Sequence, residues 1–84
     1  MYTVYYKQGC HYCDKALQLL ENGGEETFIT VDMTNDIEEY KKYFLEEFNV
    51  NIRTVPQITL NDGGVEVYIG GYQELVRYLK WVYI

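Results

Sequence analysis

The residues in this sequence best suited to chemistry are two cysteines, Cys10 and Cys13, separated by two residues. They are the only cysteines in the 84-residue chain. A disulfide between them would close a very small loop and would add little stability through loop entropy. Two thiols at this spacing can instead exchange a disulfide with another molecule, because the second resolves the mixed disulfide formed by the first. The spacing therefore indicates a redox-active dithiol.

The dithiol lies between a predicted strand and a predicted helix. Residues Tyr2–Lys7 are rich in Tyr, Val and Thr, which predicts a strand, and Gly9 interrupts it. A helix is predicted from about His11 to Glu21, and Asn22-Gly23-Gly24 supplies its C-terminal stop. The apolar residues of this helix recur at helical spacing: Cys13, Ala16, Leu17 and Leu20.

This position gives the two thiols different properties. Cys10 precedes the helix, where unpaired N–H groups and a partial positive charge favour a thiolate. Cys13 points along the apolar face and is predicted to be less exposed, with a higher pKa. We therefore predict that Cys10 is the nucleophile and Cys13 the resolving thiol. A structural zinc site is a weaker interpretation, since such sites take four ligands and the chain adds only His11, which lies between the cysteines.

The remaining sequence predicts five further elements from apolar periodicity, capping residues and a glycine-rich turn. In order, these are a strand over Thr27–Asp32, a helix from a cap at Thr34, Asn35 or Asp36 to near Asn49, two strands over Gln57–Asn61 and Gly64–Ile69 joined by Asn61-Asp62-Gly63-Gly64, and a helix after Gly70-Gly71 with Leu75, Tyr78, Leu79 and Val82 on one face. The order βαβαββα predicts a single α/β domain over residues 1–84. Two parallel strands and an antiparallel hairpin make a four-stranded mixed sheet flanked by three helices, which is a thioredoxin-like fold.

Composition and charge exclude several functional classes. The net charge of −6 and pI near 4.5 argue against a nucleic-acid-binding protein, which needs a basic surface to neutralise phosphates. No apolar run approaches the roughly 20 residues that span a bilayer. The sequence from Met1 to Val4 has no features of a secretory signal, so we expect a cytoplasmic protein without a membrane partner.

Three motifs, at 7–13, 54–58 and 70–75, together resemble glutaredoxins of the dithiol type, in order and spacing over nearly the whole chain. The resemblance implies a glutathione-linked thiol–disulfide oxidoreductase in which Cys10 attacks and Cys13 resolves the disulfide. Glutathione would be the reducing co-substrate, and no metal is expected. Disulfide-containing proteins would be the partners, with ribonucleotide reductase as one candidate, and the enzyme would be a monomer.

The resemblance also implies a glutathione-binding groove. Lys7 would bind the glycyl carboxylate, Val55 would pair with glutathione through its backbone next to a cis Val55–Pro56 bond, and the start of the last helix would hold the γ-glutamyl carboxylate. The full set of residues predicted to bind glutathione is Lys7, Tyr12, Arg53, Thr54, Val55, Pro56, Gly71, Tyr72 and Gln73.

Two positions depart from the family's usual pattern. His11 replaces a proline in the dithiol motif, and we predict that its titratable ring tunes the thiolate of Cys10 and the redox potential. Gln73 stands where Asp, Ser or Thr is more usual, which places the side-chain contact to glutathione in question. The backbone amides of the helix start do not depend on that side chain.

Two alternatives to the glutaredoxin interpretation stay open at this point. A thioredoxin-like protein would be reduced by thioredoxin reductase, but the tryptophan expected beside such a dithiol is missing, and the sole tryptophan is Trp81. A non-catalytic carrier would bridge a [2Fe–2S] cluster between two chains through Cys10 and glutathione. The replacement of the motif proline by His11 permits this second alternative.

Overall fold

The structure is a computed structural model that describes residues 1–23 and 28–82. The predicted helix stop at Gly24, the strand start at Thr27 and the side chain of Val82 lie outside the described part. The elements are, in chain order, β1 (Tyr2–Tyr6), α1 (His11–Asn22), β2 (Phe28–Asp32), α2 (Ile37–Phe48), β3 (Gln57–Asp62), β4 (Val65–Gly70) and α3 (Tyr72–Val82). No helix in this part of the chain is long and apolar enough to cross a membrane.

The four strands form one mixed sheet in the order β2-β1-β3-β4. β1 pairs with β2 in parallel, and the β1–β3 and β3–β4 pairs are antiparallel. The hairpin between β3 and β4 turns on Gly63 and Gly64, both at positive φ, as a two-residue turn of this kind requires. The observed sheet and its three helices confirm the predicted thioredoxin-like fold.

The central strand β1 is buried on both faces, so two separate cores form. On one face, Val4 packs with Ala16 and Leu20 of α1 and with Leu75 of α3. On the other face, Tyr5 packs against Phe44 of α2 together with Met33 and Ile52. The helical periodicity of the sequence therefore identified the faces that α1, α2 and α3 bury.

The ends of β1 and α1 set the position of the dithiol. β1 ends at Tyr6, so Lys7 lies just beyond the strand, one residue earlier than predicted. Gly9 follows at a φ of 76°, a left-handed conformation that glycine adopts without steric cost. Cys10 is then the N-cap residue of α1, and the N–H of Gly23 closes the other end of the helix on the Leu19 carbonyl at 3.0 Å.

Candidate functional site

Cys10 has the environment expected of a nucleophilic thiol. As the N-cap of α1, its Sγ accepts a hydrogen bond from the backbone N–H of Cys13 at 3.2 Å. The thiol also donates to the Val55 carbonyl oxygen at 3.7 Å, and the side chain is only partly buried. An N–H aimed at the sulfur from a helix N-terminus stabilises negative charge there.

Cys13 has the opposite environment. Its side chain is 1% exposed and lies on the buried face of α1 with Ala16 and Leu20. Burial, together with the neighbouring Cys10, raises the pKa of the Cys13 thiol to about 12. Cys13 is therefore a protonated thiol at neutral pH, as its place on the apolar face predicted.

A first cleft, called here the Tyr12 cleft, opens between the start of α1, the loop before β3 and the start of α3. It has a volume of about 340 Å³. Most of the predicted glutathione-binding residues line it, and Glu74 is an addition that the sequence did not predict. The lining residues are Tyr12, Thr54, Val55, Pro56, Gly71, Tyr72, Gln73 and Glu74.

A second cleft, the Lys7 cleft, adjoins the first, because Thr54 and Val55 line both. It has a volume of about 240 Å³ and contains Lys7, Lys41 and Arg53 among its lining residues. Three cations around one small cleft favour an anionic group there, although the chain as a whole carries a net charge of −6. All nine residues predicted to bind glutathione thus line these two clefts.

The loop from Arg53 to Pro56 forms the wall beside Cys10. The Val55–Pro56 peptide bond is cis, as the resemblance implied, and the Pro56 side chain is fully buried. The Thr54 carbonyl oxygen accepts a hydrogen bond from Gln57 Nε2 at 2.8 Å. The backbone of Val55, which accepts a hydrogen bond from the Cys10 thiol, is therefore part of a loop that the Gln57 side chain holds through a hydrogen bond.

The start of α3 differs from the sequence-based expectation in one respect. Its N–H groups were expected to be free for an anion, but Glu74 Oε1 accepts the N–H of Gly71 at 2.9 Å. This bond has the geometry of a capping box, in which the third helical residue reaches back to the N-cap. The protein's own carboxylate therefore occupies one donor, and a ligand anion would depend on the N–H groups of Tyr72 and Gln73.

Aromatic and basic side chains surround the exposed mouth of the Tyr12 cleft. Tyr12 is 51% exposed, and its ring lies 5.9 Å from that of Tyr72 and 5.6 Å from that of His11. Lys15 Nζ lies 5.4 Å from the centroid of Tyr12 and 5.8 Å from that of Tyr72, within the range of cation–π interactions. His11 is thus exposed at the helix start, and its tuning role stays a prediction.

Sequence reasoning missed four contributors to this site: Lys15, Lys41, Gln57 and Glu74. Glu74 carried a usable signal, since an acidic residue at the third helical position is a capping-box feature. Lys41 carried none, because only the packing of α2 against the sheet brings it next to Lys7. Within the described residues, no group of three His, Cys, Asp or Glu side chains is arranged to hold a metal ion.

Comparison with known proteins agrees with this arrangement. A family sequence model described as Glutaredoxin matches residues 2–65, which is more than half of the chain. No curated protein matches the chain.

Solved structures also resemble the chain. The crystal structure of glutaredoxin 1 from Francisella tularensis, complexed with cacodylate, has a TM-score of 0.69 and 25% identity, over 96% of this chain and 93% of that one. Reduced Escherichia coli glutaredoxin has a TM-score of 0.66 and 25% identity, over 95% and 93%. A buckwheat glutaredoxin–glutathione complex has a TM-score of 0.74 over 96% and 69%, and its 23% identity supports the fold alone.

Proposed function

This chain belongs to the glutaredoxin family, whose members are thiol–disulfide oxidoreductases, and we propose that it reduces protein disulfides and glutathione mixed disulfides with glutathione as the electron donor. The observation that carries the proposal is the contrast between the two thiols. Cys10 Sγ accepts an N–H at the start of α1 beside the Val55 backbone, whereas Cys13 is buried with a raised pKa. The two thiols can therefore act in sequence.

The first step is attack by the Cys10 thiolate on one sulfur of the substrate disulfide. A new sulfur–sulfur bond forms at Cys10, the substrate bond breaks, and the departing sulfur leaves as a thiolate that takes a proton. When the substrate is a glutathione mixed disulfide, attack at the glutathione sulfur leaves Cys10 joined to glutathione. A second glutathione thiolate then attacks that sulfur, releases oxidised glutathione and restores Cys10.

A protein disulfide uses Cys13 for the second step. Cys13 attacks the sulfur of Cys10 in the mixed disulfide and gives its proton to the departing substrate thiolate, so the substrate leaves fully reduced. The Cys10–Cys13 disulfide that remains is reduced by two glutathione molecules, which leave as oxidised glutathione. The high pKa of Cys13 keeps its thiol protonated at neutral pH. Cys13 therefore attacks only slowly, and glutathione can resolve a Cys10–glutathione adduct before Cys13 reacts with it.

The two clefts suit the two charged ends of glutathione. The Lys7 cleft, with its three cations, would bind the glycyl carboxylate. The backbone of Val55 would pair with the tripeptide as an added strand pairs with a sheet edge. The amides of Tyr72 and Gln73 would then bind the γ-glutamyl carboxylate. Membership of the glutaredoxin family supports the choice of this ligand.

The biological setting is proposed on family analogy alone. We propose that the reduced dithiol acts in the cytoplasm as a monomer and that ribonucleotide reductase is one acceptor of its electrons. Reconstitution with that reductase, glutathione and glutathione reductase tests the acceptor directly. Deoxyribonucleotide formation that does not depend on the addition of this protein would rule it out.

The function itself is tested by glutathione-dependent reduction of a small mixed disulfide, coupled to glutathione reductase. The Cys10→Ser variant should lose turnover entirely, because no other thiol can start the reaction. The Cys13→Ser variant should retain turnover, because glutathione resolves the Cys10 adduct without it.

Three results would contradict the proposal. Turnover retained in Cys10→Ser would remove its assignment as the nucleophile. A wild-type protein that is inactive with glutathione but is reduced by thioredoxin reductase would keep the dithiol and change the electron donor. Inactivity with both donors, with a coloured cluster after purification with iron, sulfide and glutathione, would support the carrier alternative.

A further inference from the structure

One polar pair outside the two clefts, Gln57 and Tyr68, contacts the loop that faces Cys10. Gln57, at the start of β3, is 3% exposed, which is unusual for an uncharged polar side chain unless it is fully hydrogen-bonded. Its Nε2 donates to the Thr54 carbonyl at 2.8 Å, and its Oε1 accepts from the Tyr68 hydroxyl at 2.6 Å. Both ends of the amide are therefore engaged.

Tyr68 holds the end of this amide that faces away from the loop. A reversed amide would place an oxygen against the Thr54 carbonyl, which can only accept, so Nε2 faces the loop and Oε1 receives the Tyr68 hydroxyl. The Tyr68 ring packs 5.9 Å from Phe44 and 5.8 Å from Phe48. Its hydroxyl is thus held in place from β4, and burial raises the pKa of Tyr68 so that it stays a donor.

Few hydrogen bonds reach the loop at Thr54 and Val55. Within the described part of the chain, Thr54 and Val55 make no backbone–backbone hydrogen bond, and they lie outside both helices and strands. The Gln57 bond to the Thr54 carbonyl and the Cys10 bond to the Val55 carbonyl are the two that reach this segment. Since Thr54 and Val55 line both clefts, the bond from Gln57 bears directly on ligand binding.

We propose that Gln57 and Tyr68 are positioning residues for the substrate: Tyr68 anchors the Gln57 amide, and Gln57 holds the Thr54 carbonyl so that the Val55 backbone is preorganised for the glutathione moiety beside Cys10. Neither side chain lines a cleft next to the dithiol, so both act through the loop. The proposal rests on the proposed function only in naming glutathione as the ligand that the loop receives.

The main test is the Tyr68→Phe variant, which removes the hydroxyl and keeps the ring between Phe44 and Phe48. The KM for a glutathione mixed disulfide should rise about three- to tenfold, the range produced by one neutral hydrogen bond, while kcat changes less than twofold. The matched control is Tyr43→Phe, since the Tyr43 hydroxyl donates to Glu66 in the same aromatic cluster and not to the loop. Its KM should equal that of the wild type.

A second variant tests whether the two residues act in series. Gln57→Met removes the donor to Thr54 and should raise the KM at least as much as Tyr68→Phe. In the double variant the KM should match that of Gln57→Met alone, because the hydroxyl has no amide left to anchor. Additive effects would contradict the series arrangement, and a Tyr68→Phe KM equal to that of the wild type or of Tyr43→Phe would overturn the proposal.

A readout that needs no turnover separates this proposal from the proposed function. The side-chain amide hydrogens of Gln57 should exchange slowly in the wild type by NMR and about tenfold faster in Tyr68→Phe, because one hydrogen bond of the pair is lost. If the wild type does not turn over glutathione disulfides, the proposed function fails, and this exchange rate still decides the positioning role. Unchanged exchange in Tyr68→Phe would then overturn it.

Discussion

At the scale of single residues, the chemistry depends on how far along α1 each thiol lies. Cys10 is the N-cap, so its sulfur receives an N–H of the first turn and remains partly accessible. Cys13 lies one turn further on, where the helix faces the sheet, and is 1% exposed. Three residues of separation therefore produce one accessible thiol at a positive helix end and one thiol in the core.

This difference predicts selective alkylation of the native protein by iodoacetamide. With the pKa of Cys13 at about 12, its thiolate fraction at pH 8 is on the order of one in ten thousand, and burial also restricts access. Cys10 should therefore be modified at least about tenfold faster than Cys13, as measured by mass spectrometry of timed samples. In urea the two rates should converge, and similar rates in the native protein would contradict the assignment.

At the scale of secondary-structure elements, the site depends on where helices begin. Gly70 and Gly71 directly precede α3, and the Glu74 carboxylate accepts a hydrogen bond from the Gly71 N–H. Gly70 has a φ of 129°, a conformation that L-residues rarely adopt. The end of β4, the glycine pair and the Glu74 cap together bring the first amides of α3 to the Tyr12 cleft.

Replacement of Gly70 by alanine should disrupt this helix start. A Cβ at Gly70 would lie 2.8 Å from the Cβ and Cγ of Glu74, in addition to the strain at positive φ. Gly70→Ala should lower the free energy of unfolding by about 1–3 kcal/mol, as measured by urea denaturation. Gly71→Ala is the control, because Gly71 has no positive φ and its added Cβ would have nearest contacts of 3.3 and 3.4 Å. An equal loss of unfolding free energy in both variants would contradict this account.

At the scale of the whole molecule, the unusual number of tyrosines has a structural explanation. Several pack with Phe44 on the α2 face of the sheet, where the hydroxyls of Tyr5 and Tyr43 reach the half-buried Glu66 carboxylate. Tyr5, Tyr43 and Thr59 all donate to the Glu66 carboxylate. The acceptor and its donors come from β4, β1, α2 and β3, so one carboxylate connects four elements.

Glu66→Gln should therefore destabilise the fold in a pH-dependent way. Burial opposes ionisation of Glu66, but the hydroxyl hydrogen bonds outweigh it and lower the pKa of the carboxyl. A lowered folded-state pKa contributes stability at neutral pH that is lost as the pH falls through the folded value. The free energy of unfolding of the variant should be about 1–3 kcal/mol lower than that of the wild type at pH 7. This difference should shrink progressively below pH 4.5, the ordinary pKa of a glutamate carboxyl.

The control for this measurement is Glu46→Gln, because Glu46 is exposed and makes only a surface ion pair with Lys42 at 3.9 Å. Its unfolding free energy should stay within about 0.5 kcal/mol of the wild type across the same pH range. Urea denaturation at several pH values measures both variants. A Glu66→Gln deficit that does not change with pH would show that the carboxyl charge is not the source of the stabilisation.

The amino-acid sequence by itself determined the features that depend on short separations along the chain. Local patterns of turn residues and apolar spacing account for four such features: the position of Cys10 before a helix, the burial of Cys13, the Gly63-Gly64 turn and the element order. The resemblance of three separated motifs then predicted which loops would line the groove, and those residues do line the two clefts.

Only the tertiary structure decided which distant side chains meet. Lys41 lines the same cleft as Lys7 because α2 packs on the sheet. Gln57 reaches the hydroxyl of Tyr68 through the β3–β4 pairing. The α3 start is likewise partly occupied by Glu74, which periodicity alone does not show. Side-chain hydrogen bonds require distances near 3 Å, and hydrophobic spacing specifies the face of an element without specifying its neighbours to that precision.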